Sequence, residues 1–431
     1  MSGSLAIVGA GATGLAAAYL AARGGRSVTV LESSPSVGGL LDTFSIAGTR
    51  LEKYYHHFFT HDRFLLAMLE DLGIRDRLRF FPGSIGVHGP YGIQPFGAPS
   101  DLLGYRGLSP ADKARFVLTS LYLGKVADWR RFENISAVSW FDRWAGRGVT
   151  QNLWHPLLRA KFGRHADRIP LSWMIGRLSQ RMNSRSGTSE RLGYLEGSLS
   201  VYLEALMDRL TKLGVRVVPS CPVRRVVTEE GRIVRLETDL GPILADETLF
   251  TQPMGSMADL FEESLPDYSA ACRSVRYLGA LCVVLELSQP LSATYWVNVT
   301  DPACPFTGLV EHTNLVPPAA YQNRRIVYLG RYFDLEDPIA AMSAEAITAE
   351  FVGYLRAMFP AFEDSTIQGT RFFRTRTAAT LCDLGFSARV PAFAGPLKNM
   401  RVGNMAHVYP DERSLNNAIR VAHAALGAKL A

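Results

Sequence analysis

The chain has 431 residues, 47% apolar and 20% charged, with 46 basic and 40 acidic side chains giving a net charge of +6. This excludes a disordered or fibrous chain and leaves room for two or more domains with sizeable cores. The basic excess is mild and scattered apart from a cluster between Arg159 and Arg191, so a nucleic-acid partner is not expected; a solvated basic face is the ordinary explanation, with an anionic substrate or a membrane surface as alternatives.

Residues 5–14 read LAIVGAGATG. Leu5 to Val8 has the pattern of a buried parallel strand, and Gly9, Gly11 and Gly14 form G-x-G-x-x-G ahead of an Ala/Leu-rich helix. A second strand runs from Ser27 to Leu31 and is closed by Glu32. Gly9 suits a tight turn, Gly11 lets a pyrophosphate approach the backbone, and Gly14 lets helix and strand pack closely. The helix N-terminus, with Ala12 and Thr13, offers free N–H groups to phosphates. Glu32 suits a ribose diol and repels a 2′-phosphate. These parts together predict a dinucleotide site, with Ser33 beside the acid and a further pair, Gly38–Gly39, followed by Leu40.

Next comes LEKYYHHFFTHD (51–62), dense in aromatics and histidines, with Asp62 placed to cap a helix that Gly73 stops. A hairpin is expected over 79–96, and a helical block rich in Trp and Arg over 100–190. Leu199, Leu203, Leu206 and Leu210 mark an amphipathic helix ended by Gly214. Strands are predicted over 215–218, 223–227, 233–238 and 249–251, and a β-rich block over 275–333. A helix is predicted over 344–358, a short strand over 400–402, and a helix from about Ser414 to the C-terminus. The five cysteines are widely spaced, odd in number and without C-x-x-C, as in a reduced, cytoplasmic protein. Neither a signal peptide nor a run of about 18 apolar residues is read, so a spanning helix is not expected.

Four stretches carry a resemblance to the flavin-containing amine oxidase and protoporphyrinogen oxidase superfamily, with features similar to UDP-galactopyranose mutases. They are Gly9–Gly14 with Glu32 and Gly38–Gly39; LGYLEGSL (192–199) leading to Pro222–Val223; TLFTQP (248–253), which includes Thr251; and MRVGNMAHVYPDERSLNNAI (400–419). The resemblance implies an α/β fold in which a discontinuous Rossmann-like FAD-binding domain of glutathione-reductase type carries an inserted α+β substrate domain. Its implied pieces are 1–75, 190–255 and 385–431 for FAD, a helical and hairpin subdomain over 76–189, and a β-rich subdomain over 256–384. It also implies noncovalent FAD, because no cysteine is placed like the one that binds flavin covalently in monoamine oxidases. The implied contacts add Val223 at the adenine, and Gly403, Asn404 and a helix capped by Asp411 or Ser414 at the flavin end. Gly403–Asn404 stands where many members have Gly-Asp, and Tyr409-Pro410-Asp411 is unlike the aromatic pair of amine oxidases, which weighs against amine oxidation itself.

The candidate reactive groups are His57, within a segment similar to the mutase His-x-Phe-His-Thr, and Glu311, His312 and Tyr409, beside which satisfied core residues are the plainer alternative. Arg331, Tyr332 and Arg374 are candidates to hold an anionic substrate group, although strand arginines are more often ion-paired. A metal site is not expected. Three functions are carried forward. The first is an FAD-dependent oxidoreductase that moves a hydride from a small organic, partly apolar or sugar-linked substrate to flavin N5 and passes electrons to oxygen or another acceptor. The second is a redox-neutral flavin-dependent mutase acting on a nucleotide sugar, and the third is a noncatalytic FAD-binding protein.

Overall fold

The computed structural model describes residues 3–186 and 189–427. Its first sheet grows from the N-terminal unit. Strand Ser4–Val8 leads into the helix Ala12–Arg23, which returns the chain to Ser27–Leu31 in parallel. Three strands from far along the chain join it in parallel: Arg216–Val218 outside Ser27–Leu31, then Glu247–Phe250 and Met400–Val402 on the other side. Strands buried on both faces must be apolar throughout, and Leu5, Ile7, Val30, Leu249 and Val402 are all fully buried. The first helix packs on the last, Leu415–Ala425, through Ala-rich faces that let the backbones approach; Leu15, Ala18 and Ala22 share one core with Ile419 and Ala425.

The second large sheet has seven strands in the order Ile367–Thr380, Tyr277–Leu287, Arg325–Phe333, Gly308–Glu311, Trp296–Val299, Ile85–Gly89 and Gly92–Pro95. Its neighbours are antiparallel, except that Trp296–Val299 lies parallel to Ile85–Gly89. The hairpin expected in 79–96 thus belongs to this sheet, with its turn at 89–92, whereas Leu78–Pro82 pairs with Ser189–Leu195. A three-stranded sheet spans Val223–Ile243. Helices fill most of 99–183, among them Pro110–Lys125, Ala137–Trp144 and Leu171–Asn183. The helices predicted over 199–213 and 344–358 lie at Leu199–Lys212 and Ala344–Met358. Among the described residues no helix is long and apolar enough to cross a membrane.

Two end signals differ from expectation. Asp62 precedes the helix Arg63–Leu72 but does not cap it: its carboxylate accepts from the Phe59 amide at 2.8 Å and so closes the preceding turn. The last helix is described as far as Ala425, and the expected run to the C-terminus falls partly on residues 428–431, outside the described residues.

Candidate functional site

A cavity of about 1310 Å³ runs from the edge of the parallel sheet to the wall of the seven-stranded sheet. One end is built by the glycine-rich turn. Gly9 sits at φ +107°, open only to glycine at little cost, and its amide donates to the Leu31 carbonyl at 2.8 Å. A Cβ on Gly14 would lie 1.9 Å from the Gly9 carbonyl oxygen, so only glycine lets this helix start against this strand. Gly11 precedes the helix with no side chain capping its first N–H groups, and its own absent Cβ would project into open space. Gly38 (φ +103°) is drawn onto the turn by donating to the Ala10 carbonyl at 2.8 Å, so that Gly39 faces Gly11. The cavity therefore has a wall of bare backbone and a helix N-terminus, a cradle for a pyrophosphate.

Glu32 is fixed at the same end. One carboxylate oxygen accepts from the Ala10 amide at 2.8 Å; the other accepts from the Ser34 amide at 2.8 Å and the Ser33 hydroxyl at 3.2 Å. The segment leading to Val223 is stitched alongside, with the Cys221 amide donating to the Glu32 carbonyl at 2.7 Å. Thr251 ties its strand to the turn, donating to the carbonyls of Val8 and Gly9 at 3.0 Å. Gly9, Gly11, Ala12, Thr13, Gly14, Glu32, Ser33, Gly38, Gly39, Leu40, Val223, Thr251, Asn404 and Ser414 all line this one cavity.

Gly403 and Asp411 do not. A Cβ at Gly403 would meet that of Ala425, so this glycine serves helix packing. The Asp411 carboxylate pairs with Arg420 at 3.0 Å, and the last helix is capped by Ser414, whose hydroxyl accepts from the Asn417 amide. Asn404 lines the cavity, but its side chain is occupied in bracing the loop: it accepts from the Ala406 amide and donates to the Gln252 carbonyl.

At the far end His57 lines the cavity, its Nδ1 2.8 Å from the Tyr55 hydroxyl. Burial, reinforced by Arg181 and Arg177, holds His57 well below the usual histidine range, and burial with Arg413 takes His56 down to about 4. Both are neutral imidazoles at pH 7. Glu311 and His312 lie elsewhere. In the strand Gly308–Glu311 the alternate residues Gly308 and Val310 face the cavity, so Glu311 faces away, as period two requires, and His312 lies in the turn that follows. The Glu311 carboxylate binds the amides of Leu291 and Ser292, and His312 is sealed against the Tyr321 hydroxyl at 2.7 Å. Tyr409 is likewise outside the cavity, its hydroxyl held by Ser172 between Trp129 and Phe386.

Arg331, Tyr332 and Arg374 line the cavity, but the guanidiniums are committed: Arg331 to the Pro305 carbonyl and Asp337, Arg374 to the carbonyls of Ala340 and Met342. The charge that remains lies on residues the sequence did not single out for the site. Glu412 receives Lys161 at 2.6 Å and Arg177 at 3.1 Å. Lys161 also stands 4.7 Å from the Trp173 ring centre and 5.4 Å from that of Tyr332. Arg413 donates to the Tyr332 hydroxyl at 2.9 Å and to the Ala378 carbonyl. Three cations thus surround one carboxylate. Burial alone would raise Glu412, but Arg177 and Lys161 hold it down at about 2. Burial also works against ionising Tyr332, yet Arg413 and Lys161 bring its phenol below the ordinary value. A third region of wall is apolar, with Phe116 stacked on Trp154 and edge-on to Phe96.

A wall of bare glycine backbone, a fixed carboxylate and a capped helix at one long cavity fit a flavin dinucleotide. The class is that of FAD-dependent oxidoreductases. The chain belongs to the family described as flavin containing amine oxidoreductase, whose model matches residues 12–382. Among its relatives, the zeta-carotene desaturase of Arabidopsis thaliana is 25% identical over 269 residues, which is 57% of this chain and 45% of that protein. The coproporphyrinogen III oxidase of Staphylococcus aureus is 23% identical over 287 residues, 59% of this chain and 61% of that protein. The matches therefore span about half the length of these curated relatives. A protoporphyrinogen oxidase-like protein of Exiguobacterium sp. 255-15 has the same fold, with TM-score 0.79 and 18% identity over 99% of this chain and 98% of that one. A reduced UDP-galactopyranose mutase shares it at TM-score 0.74 and 13% identity, covering 99% and 94% of the two chains. The cofactor is FAD.

Proposed function

We propose that this chain oxidises a partly apolar small molecule bearing an anionic or strongly polar group. In this proposal the parallel sheet is a Rossmann-like FAD-binding unit assembled from separated stretches of chain, and the seven-stranded sheet with the helical block forms the substrate side. Gly9–Gly14 and Gly38–Gly39 would hold the pyrophosphate, Glu32 the ribose, Val223 the adenine end, and the N-terminus of the last helix the flavin end. When bound, FAD would supply a two-electron acceptor for a hydride from a substrate carbon, with oxygen or another acceptor as the final electron sink.

The observation that carries the substrate class is the pairing, in one cavity, of the Phe96–Phe116–Trp154 wall with Lys161 and Arg177 on Glu412 and Arg413 on Tyr332, three cations to one carboxylate. Lys161, Arg177 and Arg413 orient an anionic group, and the aromatic wall excludes water from the rest of the substrate. In its ionised form, which Arg413 and Lys161 favour, Tyr332 is the group placed to receive the substrate's proton. Neutral His57 is suited to positioning.

The test is anaerobic mixing of the flavin-loaded protein with candidate substrates, followed at the oxidised flavin band. Bleaching by apolar acids, and none by their uncharged analogues, is expected. A protein from which no FAD can be extracted would overturn the cofactor assignment. Turnover that requires prior dithionite reduction and leaves no net redox change would replace oxidation by the mutase reaction.

A further inference from the structure

Of the twelve large apolar side chains exposed on the described residues, eight fall between Leu103 and Trp144. The helix Pro110–Lys125 carries apolar side chains on both faces. Its inner face, packed on Leu171–Asn183, buries Leu123 completely but also Thr119 (8% exposed) and Ser120 (7%), and the Ser120 hydroxyl has no hydrogen-bond partner. Its outer face presents Leu118 (68%) and Leu121 (50%), with Val117 and Tyr122 beside them. In water this orientation forgoes burial of two leucines and leaves a buried hydroxyl unsatisfied. Contact of the outer face with something apolar recovers that burial.

The patch continues across helices. Tyr122 stacks on Trp140, whose ring centre is 6.2 Å away, and Trp140 lies 6.4 Å from the exposed Trp144. Beyond the helix's first turn, Lys113 holds the Leu103 carbonyl at 2.7 Å, which places exposed Leu103 at the other end. The stretch is net basic: residues 103–147 carry eight basic and four acidic side chains, and Arg115, Lys125 and Arg143 are exposed beside the apolar face, as are Asp128 and Asp142.

We propose that this face docks on an anionic lipid bilayer. Leucines with a Tyr–Trp fringe in a net basic surround match an interface whose headgroups are negative and whose interior is apolar. A second copy of the chain would bring like net charges together across such a face. The opposite side of the same helix contributes Phe116 to the cavity wall, so docking sets the cavity's aromatic end next to the lipid. The proposal does not rest on the redox reading, because lipid binding is measured without turnover.

The experiment is flotation of the full-length holoprotein with phosphatidylcholine vesicles carrying roughly 30% phosphatidylglycerol. The wild type is expected to float with these vesicles, and to partition at least ~10-fold less onto phosphatidylcholine alone or at high salt. The L118S/L121S double variant, and separately R115E/K125E, should each lose about tenfold or more in partition. The flavin spectrum and unfolding midpoint should be unchanged, since these side chains are not buried. Wild type that stays at the bottom of a low-salt gradient overturns the proposal, as do variants that float like wild type. So does a wild-type dimer in sedimentation that L118S/L121S dissolves, which would assign the face to self-association.

Discussion

Glu412 is the residue on which the cationic wall depends. Its side chain is 14% exposed and compensates Lys161 and Arg177 together. E412Q keeps the shape and leaves both cations unpaired, so a loss of about 3 kcal/mol is expected in denaturant unfolding. The folded carboxyl sits near 2, below its ordinary 4.5, so the unfolded chain binds the proton more readily. Its stabilisation is complete above about 4.5 and fades as pH falls towards 2. E412Q should therefore flatten the pH dependence of stability in that window; an unchanged slope would show that other carboxylates set it. Tyr332 gives the complementary test. Its phenol titrates below its ordinary 10.0, so if it receives the proton, rate rises with pH through that folded value, and Y332F should lose this limb while substrate affinity is kept. A Y332F profile that keeps the limb removes Tyr332 from the proton path. This network was hidden in the sequence for a physical reason: Lys161 and Glu412 are 251 residues apart, and a Lys in RAKFG carries no local mark of its partner. Glu311 and His312 had the opposite problem. Their types suggest chemistry, but strand alternation turns Glu311 away from the cavity and the turn His312–Asn314 buries His312 against Tyr321, and neither is set until the sheet is built.

At the scale of the element, the glycine turn was legible because every constraint on it is local: an apolar strand, a fixed glycine spacing, a helix and an acid within about thirty residues. The structure separates what its glycines do. Gly14 is a packing residue, because its Cβ would collide with backbone that cannot move aside. Gly11 has conventional dihedrals and free space, so its missing Cβ matters only to whatever occupies the cavity. G14A should thus lower the stability of the apoprotein by about 1–3 kcal/mol or more. G11A should leave apoprotein unfolding unchanged and weaken FAD binding by roughly tenfold or more, since a methyl group takes the place a phosphate approaches. Calorimetry of the apoproteins with FAD titration distinguishes the two; equal destabilisation by both would mean that Gly11 is structural as well. The cap of the last helix was less legible. Asp411 and Ser414 are both good cap types three residues apart, and only the ion pair of Asp411 with Arg420 leaves the role to Ser414.

At the scale of the molecule, the cavity's dinucleotide end is assembled from places the sequence keeps far apart. The turn at 9–14, the acid at 32, the segment at 221–223, Thr251 and the start of the last helix meet there. The helix that begins at Ala12 is packed on the one that begins at Leu415, in one apolar core shared with Leu199 and Leu206. Such a site cannot open by fraying one end of the chain: moving the last helix strips the first helix and the parallel sheet of their packing. Loss of FAD and loss of fold should then be a single event. Heating the holoprotein while recording free-flavin fluorescence and helix circular dichroism together is expected to give coincident midpoints. Both should rise with added FAD, by ~2.7 kcal/mol of stabilisation when free FAD is about a hundred times its dissociation constant. Flavin fluorescence that appears well before the helix signal falls would show instead that the cradle opens on its own, and that the stretches forming it are joined less tightly than their shared core implies.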